Sequence, residues 1–188
     1  MDEVEAGALR SSARAALASA SPVLPLAAVD PRAVDGLATE LGWTDLGGDL
    51  RALVIVAEEL GRAGSDWPVH ETFADGDDVL HALALVARAI GAARAGHELA
   101  VQHAIDRVQF GQPIGAFQAV SHRLADAAVE LAGWDAVVGS IDAGDPVALL
   151  AAVVHGRAAA LRALGAAQRT LGAMGYFDEH ALPWLFRR

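Results

Sequence analysis

Cysteine and lysine are both absent from these 188 residues. Without thiols the chain has no disulfide, no thiolate metal site and no cysteine nucleophile, a composition that fits the reducing setting of the cytoplasm, the expected location. Without lysine it cannot form a Schiff base through a side-chain amine, because all 14 basic residues are arginines. Positive charge is scarce as well: against 24 acidic residues the net charge is −10, which leaves no basic field to attract nucleic acid or an anionic membrane. Aromatic residues are only 5% of the chain, and Trp43, Trp67, Trp134 and Trp184 are scattered, so they read as core or interface anchors rather than a binding cage. The seven histidines include no His-x-x-x-His pair, and no metal site is expected. The weakly charged stretch Val79 to Ala87 contains His81 and ends at Arg88, well short of a bilayer span. The opening MDEVEAGALR is acidic and lacks the basic-then-apolar order of an export signal.

What is present is alanine, leucine and valine in helical spacing, with 54% hydrophobic residues overall. Helices are expected over Glu3 to Ala20, from Asp30-Pro31 to Leu41, and from Leu46 to Arg62, with a loop through ELGWTDL. The segment SDWPVHETFADG, between Ser65 and Gly76, breaks the pattern and reads as a linker, after which Asp77 and Asp78 open the longest helix. On that helix Val79, Leu83, Val86, Ile90, Ala93, His97, Val101, Ala104 and Val108 fall on one stripe, with His81, Arg88 and Asp106 opposite. Further helices are expected from about Phe117 to Ile141 and from Pro146 to about Thr170. No stretch alternates with period two, so no appreciable sheet is expected. The reading is an all-α helical bundle, with residues 1–64 a short N-terminal helical segment, 65–76 a linker and 77–188 the bundle proper. Its small-residue faces invite close helix packing, within the chain and against another one.

Between the two Ala-rich runs lies IDRVQFGQPIGAFQAVSHRLAD, from Ile105 to Asp126. Gly111 and Gly115 permit unusual backbone angles, Pro113 stiffens the turn, and Phe110 and Phe117 can anchor it. Arg107 falls at the end of one helix and Gln118 at the start of the next, where free backbone N–H groups gather, a reasonable cradle for a phosphate. A second account is open at this point: Arg107 could satisfy the carbonyls ending its own helix, with the rest serving as turn chemistry.

The run ARAIGAARAGHELAVQHAIDRVQFGQPIGAFQAVSHRLADAAVEL, from Ala87 to Leu131, closely resembles the start of the C-terminal helical domain of acyl-CoA dehydrogenases, through its Arg-x-x-Phe-Gly-x-Pro-Ile-x-x-Phe-Gln and His-x-Leu-Ala-Asp elements. RTLGAMGYFDEHALPWLFRR resembles the family's closing segment, and GWTDL with VIVAEELGRAG is similar to part of its N-terminal helical domain. The resemblance implies an FAD-dependent α,β-dehydrogenation of an acyl-CoA thioester: a carboxylate takes the α-proton and the flavin takes the β-hydride. It implies dimers or tetramers built through the C-terminal helices, with the Arg-x-x-Phe-Gly element reaching the FAD of the neighbouring subunit. On this basis Arg107 contacts the cofactor's pyrophosphate or adenosine end, Phe110 and Gly111 shape the loop, and Phe117 and Gln118 line its path. At the glycine-rich turn, Arg169 and Gly172-Ala173 stand where the family commonly has Gln and Gly-Gly.

The resemblance also sets out departures. Family members carry a β-domain between the two helical parts, where this chain has only Ser65 to Gly76. One family position of the catalytic Glu lies beyond Arg188, and the other, counted back from Arg107, is held by His81, followed by Ala82 where an Arg is usual. His81 is therefore the one weak candidate for a base, and otherwise reads as a solvated surface histidine. Glu98, Asp126 and Glu130 read as helix-surface acids, and His97 as a hydrogen-bonded core histidine. Two functions follow as expectations: a subunit that shares FAD with a full-length acyl-CoA dehydrogenase partner or with its own copies, or a catalytically inactive helical assembly module without flavin.

Overall fold

The structure, a computed structural model, describes residues 1–20, 31–45, 49–65 and 78–187. Most of the expected linker, along with Trp67, Asp30 and Asp77, lies outside them. Seven α-helices occur among the described residues: α1 (Glu3–Ala20), α2 (Pro31–Glu40), α3 (Leu50–Arg62), α4 (Asp78–Asp106), α5 (Gln118–Ser140), α6 (Pro146–Leu171) and α7 (Ala181–Arg187). The fold is all-α, as the composition and periodicity indicate.

The helix starts are written in the sequence. Asp2 caps α1, its Oδ1 accepting from the Val4 and Glu5 amides at 2.8 Å, while Glu5 reaches back to the Asp2 amide in a capping box. Asp49 caps α3 by accepting from the Arg51 and Ala52 amides, so this helix begins after the glycines rather than at Leu46. Asp145 caps α6, with Pro146 at its first position. The α3 end carries Gly64 at φ 66°, and the Ser65 amide returns to the Leu60 carbonyl at 2.9 Å.

The helix α4 is the central rod, packed most extensively by α6 and α3, with α5 and α7 also against it and α1 packed on α3. The expected single stripe is too narrow. Leu83, Val86, Ile90 and Ala93 are buried as anticipated, but so are Ala84, Ala87, Gly91, Ala92 and Gly96, because α3 and α6 cover different sides of the rod. One core runs from Leu17 and Trp43 through Leu60 and Ile90 to Trp134, Leu164 and Leu182. Both α4 and α6 are long and apolar enough to cross a membrane. In α4, burial among its neighbouring helices accounts for that composition. In α6 much of the apolar surface stays outside the fold, with Val147, Leu150, Val154 and Leu161 exposed.

Glycine fixes how closely the rods approach. A Cβ placed on Gly61 would lie 1.8 Å from the Arg88 carbonyl oxygen, and one on Gly91 would lie 1.8 Å from that of Glu58. Thus α3 and α4 cross in direct backbone contact. On the other side, a Cβ at Gly156 would lie 2.4 Å from the Trp134 ring and 2.5 Å from Val86, so the indole is seated on α6 where no side chain intervenes. The pairs Val86 with Gly156 and Gly96 with Leu164 advance together, so α4 and α6 run parallel; Trp134 with Gly156 and Glu130 with Arg162 advance oppositely, so α5 runs antiparallel to α6.

The Gly91→Ala variant is expected to lose about 3 kcal/mol or more, because neither backbone can yield to a methyl group at that crossing. At the exposed Gly36 of α2, where a Cβ meets nothing within 4 Å, the same change should instead gain roughly 0.5–1 kcal/mol. Denaturant midpoints of the two variants check the contrast.

Candidate functional site

The elbow between α4 and α5 is built more tightly than an irregular loop. The helix α4 ends at Asp106, and Arg107 is the first residue past it, its amide donating to the His103 carbonyl at 2.9 Å. Two short strands follow, β1 (Val108–Gln109) and β2 (Gln112–Pro113), antiparallel with Val108 opposite Pro113 and Gln109 opposite Gln112. This small hairpin is the one sheet among the described residues, in keeping with the expectation of no appreciable sheet; runs of two residues are too short to show a period. Phe110 and Gly111, at φ 52° and 81°, form the two-residue turn, both in the left-handed region that such hairpins require. The Ile114 amide donates to the Arg107 carbonyl at 2.8 Å and closes the elbow. A Cβ on Gly115 would lie 3.1 Å from the Ala104 carbonyl, so the returning chain lies close against α4.

The side chains point outward from this frame. Phe110 is 94% exposed, and its ring meets Phe117 edge to face at 6.1 Å. Arg107 and Gln118 are exposed. Arg107 has no side-chain hydrogen bond or ion pair among the described residues, so its guanidinium does not satisfy the carbonyls that end α4. Phe117 is the N-cap of α5 and offers no side-chain acceptor, which leaves that helix start without a side-chain cap. A cation, an amide side chain and an uncapped helix start thus share one exposed corner.

The parallel course of α4 and α6 carries their C-terminal ends to one end of the bundle. There α6 closes on Gly172 at φ 60°, followed by the 3-10 turn Gly172–Tyr176. Arg169 is exposed in the last turn of α6. Val108, Phe110, Met174, Tyr176 and Phe177 give this end of the molecule an exposed apolar and aromatic surface. His81 lies elsewhere: 26 positions before Arg107 on one helix, roughly 39 Å along the rod at 1.5 Å per residue. It is half-buried rather than solvated, and it is not free of interactions in the fold. Within one chain, His81 and the elbow cannot touch the same reacting atoms. Among the described residues no three His, Asp or Glu side chains converge as metal ligands.

The charged network that the sequence did not single out lies mid-bundle. Glu58 and Glu59 of α3 are 2% and 3% exposed. Glu58 accepts from the Trp134 indole at 2.7 Å and from Arg10 at 2.7 Å, and Glu59 accepts a two-pronged guanidinium from Arg14, both contacts at 2.9 Å. The signal was an acidic pair inside the apolar run LVIVAEEL together with two arginines four apart on α1. Trp43 and Trp134 are fully buried anchors, while Trp184 donates to the Asp178 carbonyl at 2.9 Å. Of the surface acids, Glu98 pairs with Arg62, Glu130 pairs with Arg162 at 2.7 Å, and Asp126 is exposed. His97 departs from expectation: it is half-buried, but its Nδ1 has no hydrogen-bond partner.

With this geometry in view, a family model described as "Acyl-CoA dehydrogenase, C-terminal domain" matches residues 80–188, more than half of the chain. The chain belongs to the acyl-CoA dehydrogenase family. It is similar to acyl-CoA dehydrogenase IpdE2 of Mycolicibacterium smegmatis, 53% identical over 57 residues, which are 30% of this chain and 18% of that protein. The protein of the same name from Mycobacterium tuberculosis matches to the same extent. A solved glutaryl-coenzyme A dehydrogenase in complex with glutaryl-CoA aligns with a TM-score of 0.46 and 25% identity, covering 71% of this chain and 31% of that one. The chain therefore matches less than a fifth of the length of these curated dehydrogenases and under a third of the solved one.

Burial holds the His97 imidazole below its ordinary value of 6.5, partly offset by Glu98. His180, whose Nδ1 accepts the Leu182 amide at 3.1 Å, is lowered by burial and then by His103. A histidine that is harder to protonate folded than unfolded contributes stability that is complete above 6.5 and is lost as the pH falls below it. Tm is expected to fall on acidification from pH 7.5 to 5.5, and the pair His97→Gln and His180→Asn to flatten that slope in thermal melts; a Tm that climbs toward acid contradicts the assignment.

Proposed function

We propose that this chain supplies part of the FAD site of an acyl-CoA dehydrogenase, with the flavin held jointly by a second subunit, either another copy or a full-length relative. The observation that carries the reading is Arg107: an exposed guanidinium that the elbow does not need for its own hydrogen bonds, beside a helix start with no side-chain cap. Both features favour a phosphate-bearing group. Gln118, at the first position of α5, adds an amide beside the same helix start. Phe110, Gly111 and Phe117 form the wall that turns the chain at the cofactor's edge. Arg169 and Gly172 lie at the same end of the bundle, where a second guanidinium suits a diphosphate better than the amide it replaces.

When bound, FAD supplies the acceptor for the β-hydride of an acyl-CoA thioester. This chain's part is to bind and orient the nucleotide end. A base at His81, far along α4, would act at a different flavin from the one its own elbow holds. The exposed apolar stripe of α6 and the aromatic surface around the elbow are the faces that a second subunit covers. The catalytically inactive assembly module stands as the second reading, favoured by Ala82 and by the half-buried placement of His81.

The visible spectrum of the purified chain, alone and co-expressed with a full-length acyl-CoA dehydrogenase, separates the readings. Flavin absorbance is expected in at least one preparation. Arg107→Ala should weaken flavin retention about tenfold or more, the scale of one charge-assisted contact to phosphate, with helicity by circular dichroism unchanged. Colourless protein in both preparations establishes the module instead.

A further inference from the structure

A cavity of about 600 Å³ lies between α1, α3, α4 and α5, and its charged lining is arranged in two layers. The inner layer is fixed. Glu58 lines the cavity almost wholly buried and holds Arg10, while Arg14 is held from behind the lining by the equally buried Glu59, and removing one partner of a buried pair is costly. The outer layer is labile: Arg62 is paired with Glu98, which is 63% exposed, and Arg94 with Asp135, which is 56% exposed, at 2.6 Å. The arginines are held largely out of water, at 18% and 23% exposed, whereas the carboxylates reach into solvent, so another anion can take the place of either carboxylate on a cation that is already positioned.

Two polar atoms on this lining have no hydrogen-bond partner. Arg94 Nε and His97 Nδ1, one turn apart on α4, are both buried and unsatisfied, a costly arrangement that an acceptor would relieve. Arg94 Nε lies 3.9 Å from Glu58, too far for a hydrogen bond. The nearby wall is apolar, formed by Ala6, Val54, Ile55, Leu131 and Val138. The cavity's α4 residues, Arg94, His97 and Glu98, lie roughly 14–20 Å along the helix from Arg107, so it is separate from the elbow.

We propose that this cavity binds a small organic anion, with a phosphate or carboxylate head seated between Arg62, Arg94 and His97 in place of the outer carboxylates, and a short apolar body against Val54, Ile55 and Leu131. Release of Asp135 frees Arg94 to turn its Nε toward the ligand. The guanidinium fork suits either head group, and the cavity is within the usual size range of small-molecule sites.

The test is a titration of the full chain, at matched ionic strength, with inorganic phosphate, butyl phosphate and butyrate, followed by Tm and by tryptophan fluorescence, since Trp134 is bonded to the cavity's Glu58. Saturable binding is expected, with butyl phosphate or butyrate exceeding inorganic phosphate; the arm that binds tighter of those two names the head group. Arg94→Gln and Arg62→Gln should each weaken binding at least tenfold. Asp135→Asn, which removes the competing carboxylate, should tighten it about threefold or more, a change of sign that a damaged fold does not produce and that stands even if the arginine variants unfold. A response equal to that of salt-matched chloride, or weaker binding in Asp135→Asn, overturns the proposal.

Discussion

The fold depends on the backbone contact between α3 and α4 at Gly61 and Gly91. That crossing draws α3 so close to the central rod that Glu58 and Glu59, one turn before Gly61, are carried out of water with it. Two buried carboxylates cost several kcal/mol each unless they are neutralised in place. The cations come from α1 through Arg10 and Arg14, and the remaining oxygen of Glu58 is satisfied by the Trp134 indole of α5. One steric fact therefore fixes the position of three other helices: α1 by charge, α5 by a single hydrogen bond, and α6 because the same indole rests on Gly156.

This arrangement separates two regions with different demands. The middle of the bundle is rigid, interlocked by glycine contacts and paired charges. The end that carries the elbow and the Gly172 turn is polar in its backbone and aromatic on its surface, and its arginines are not committed to the fold. Two of the departures that the resemblance sets out, Arg169 and Ala173, fall on that end, while His81 and Ala82 lie near the start of α4.

The helices were legible because their signals are local. Asp49, Asp145 with Pro146, and Gly64 mark helix ends by hydrogen bonds to nearby amides or by a conformation that side chains resist, and these can be read from a few neighbouring letters. The elbow was legible in the same way, through Phe-Gly and Pro in a fixed order, although its two-residue strands were too short to announce themselves. The burial of α4 on several sides was not legible, since a helical wheel assumes one partner and counts Ala and Gly as neutral filler, whereas here they are the contacts. Nor was the Glu58–Glu59 network: the residue types read as surface, and only the approach of α1, more than forty positions earlier, makes them core. The outward turn of Arg107 likewise needed coordinates, because the same letters fit an arginine folded back on its own helix.

Phe110 has one more consequence. A side chain with a branched ring at φ 52° occupies a backbone state that disfavours anything but glycine or asparagine by roughly 1–2 kcal/mol, and its ring recovers little of that while it faces water. A lineage selected for heat tolerance alone would be expected to discard this residue among the first. Replacing it with asparagine or glycine would therefore relieve the backbone while removing little that holds the bundle together.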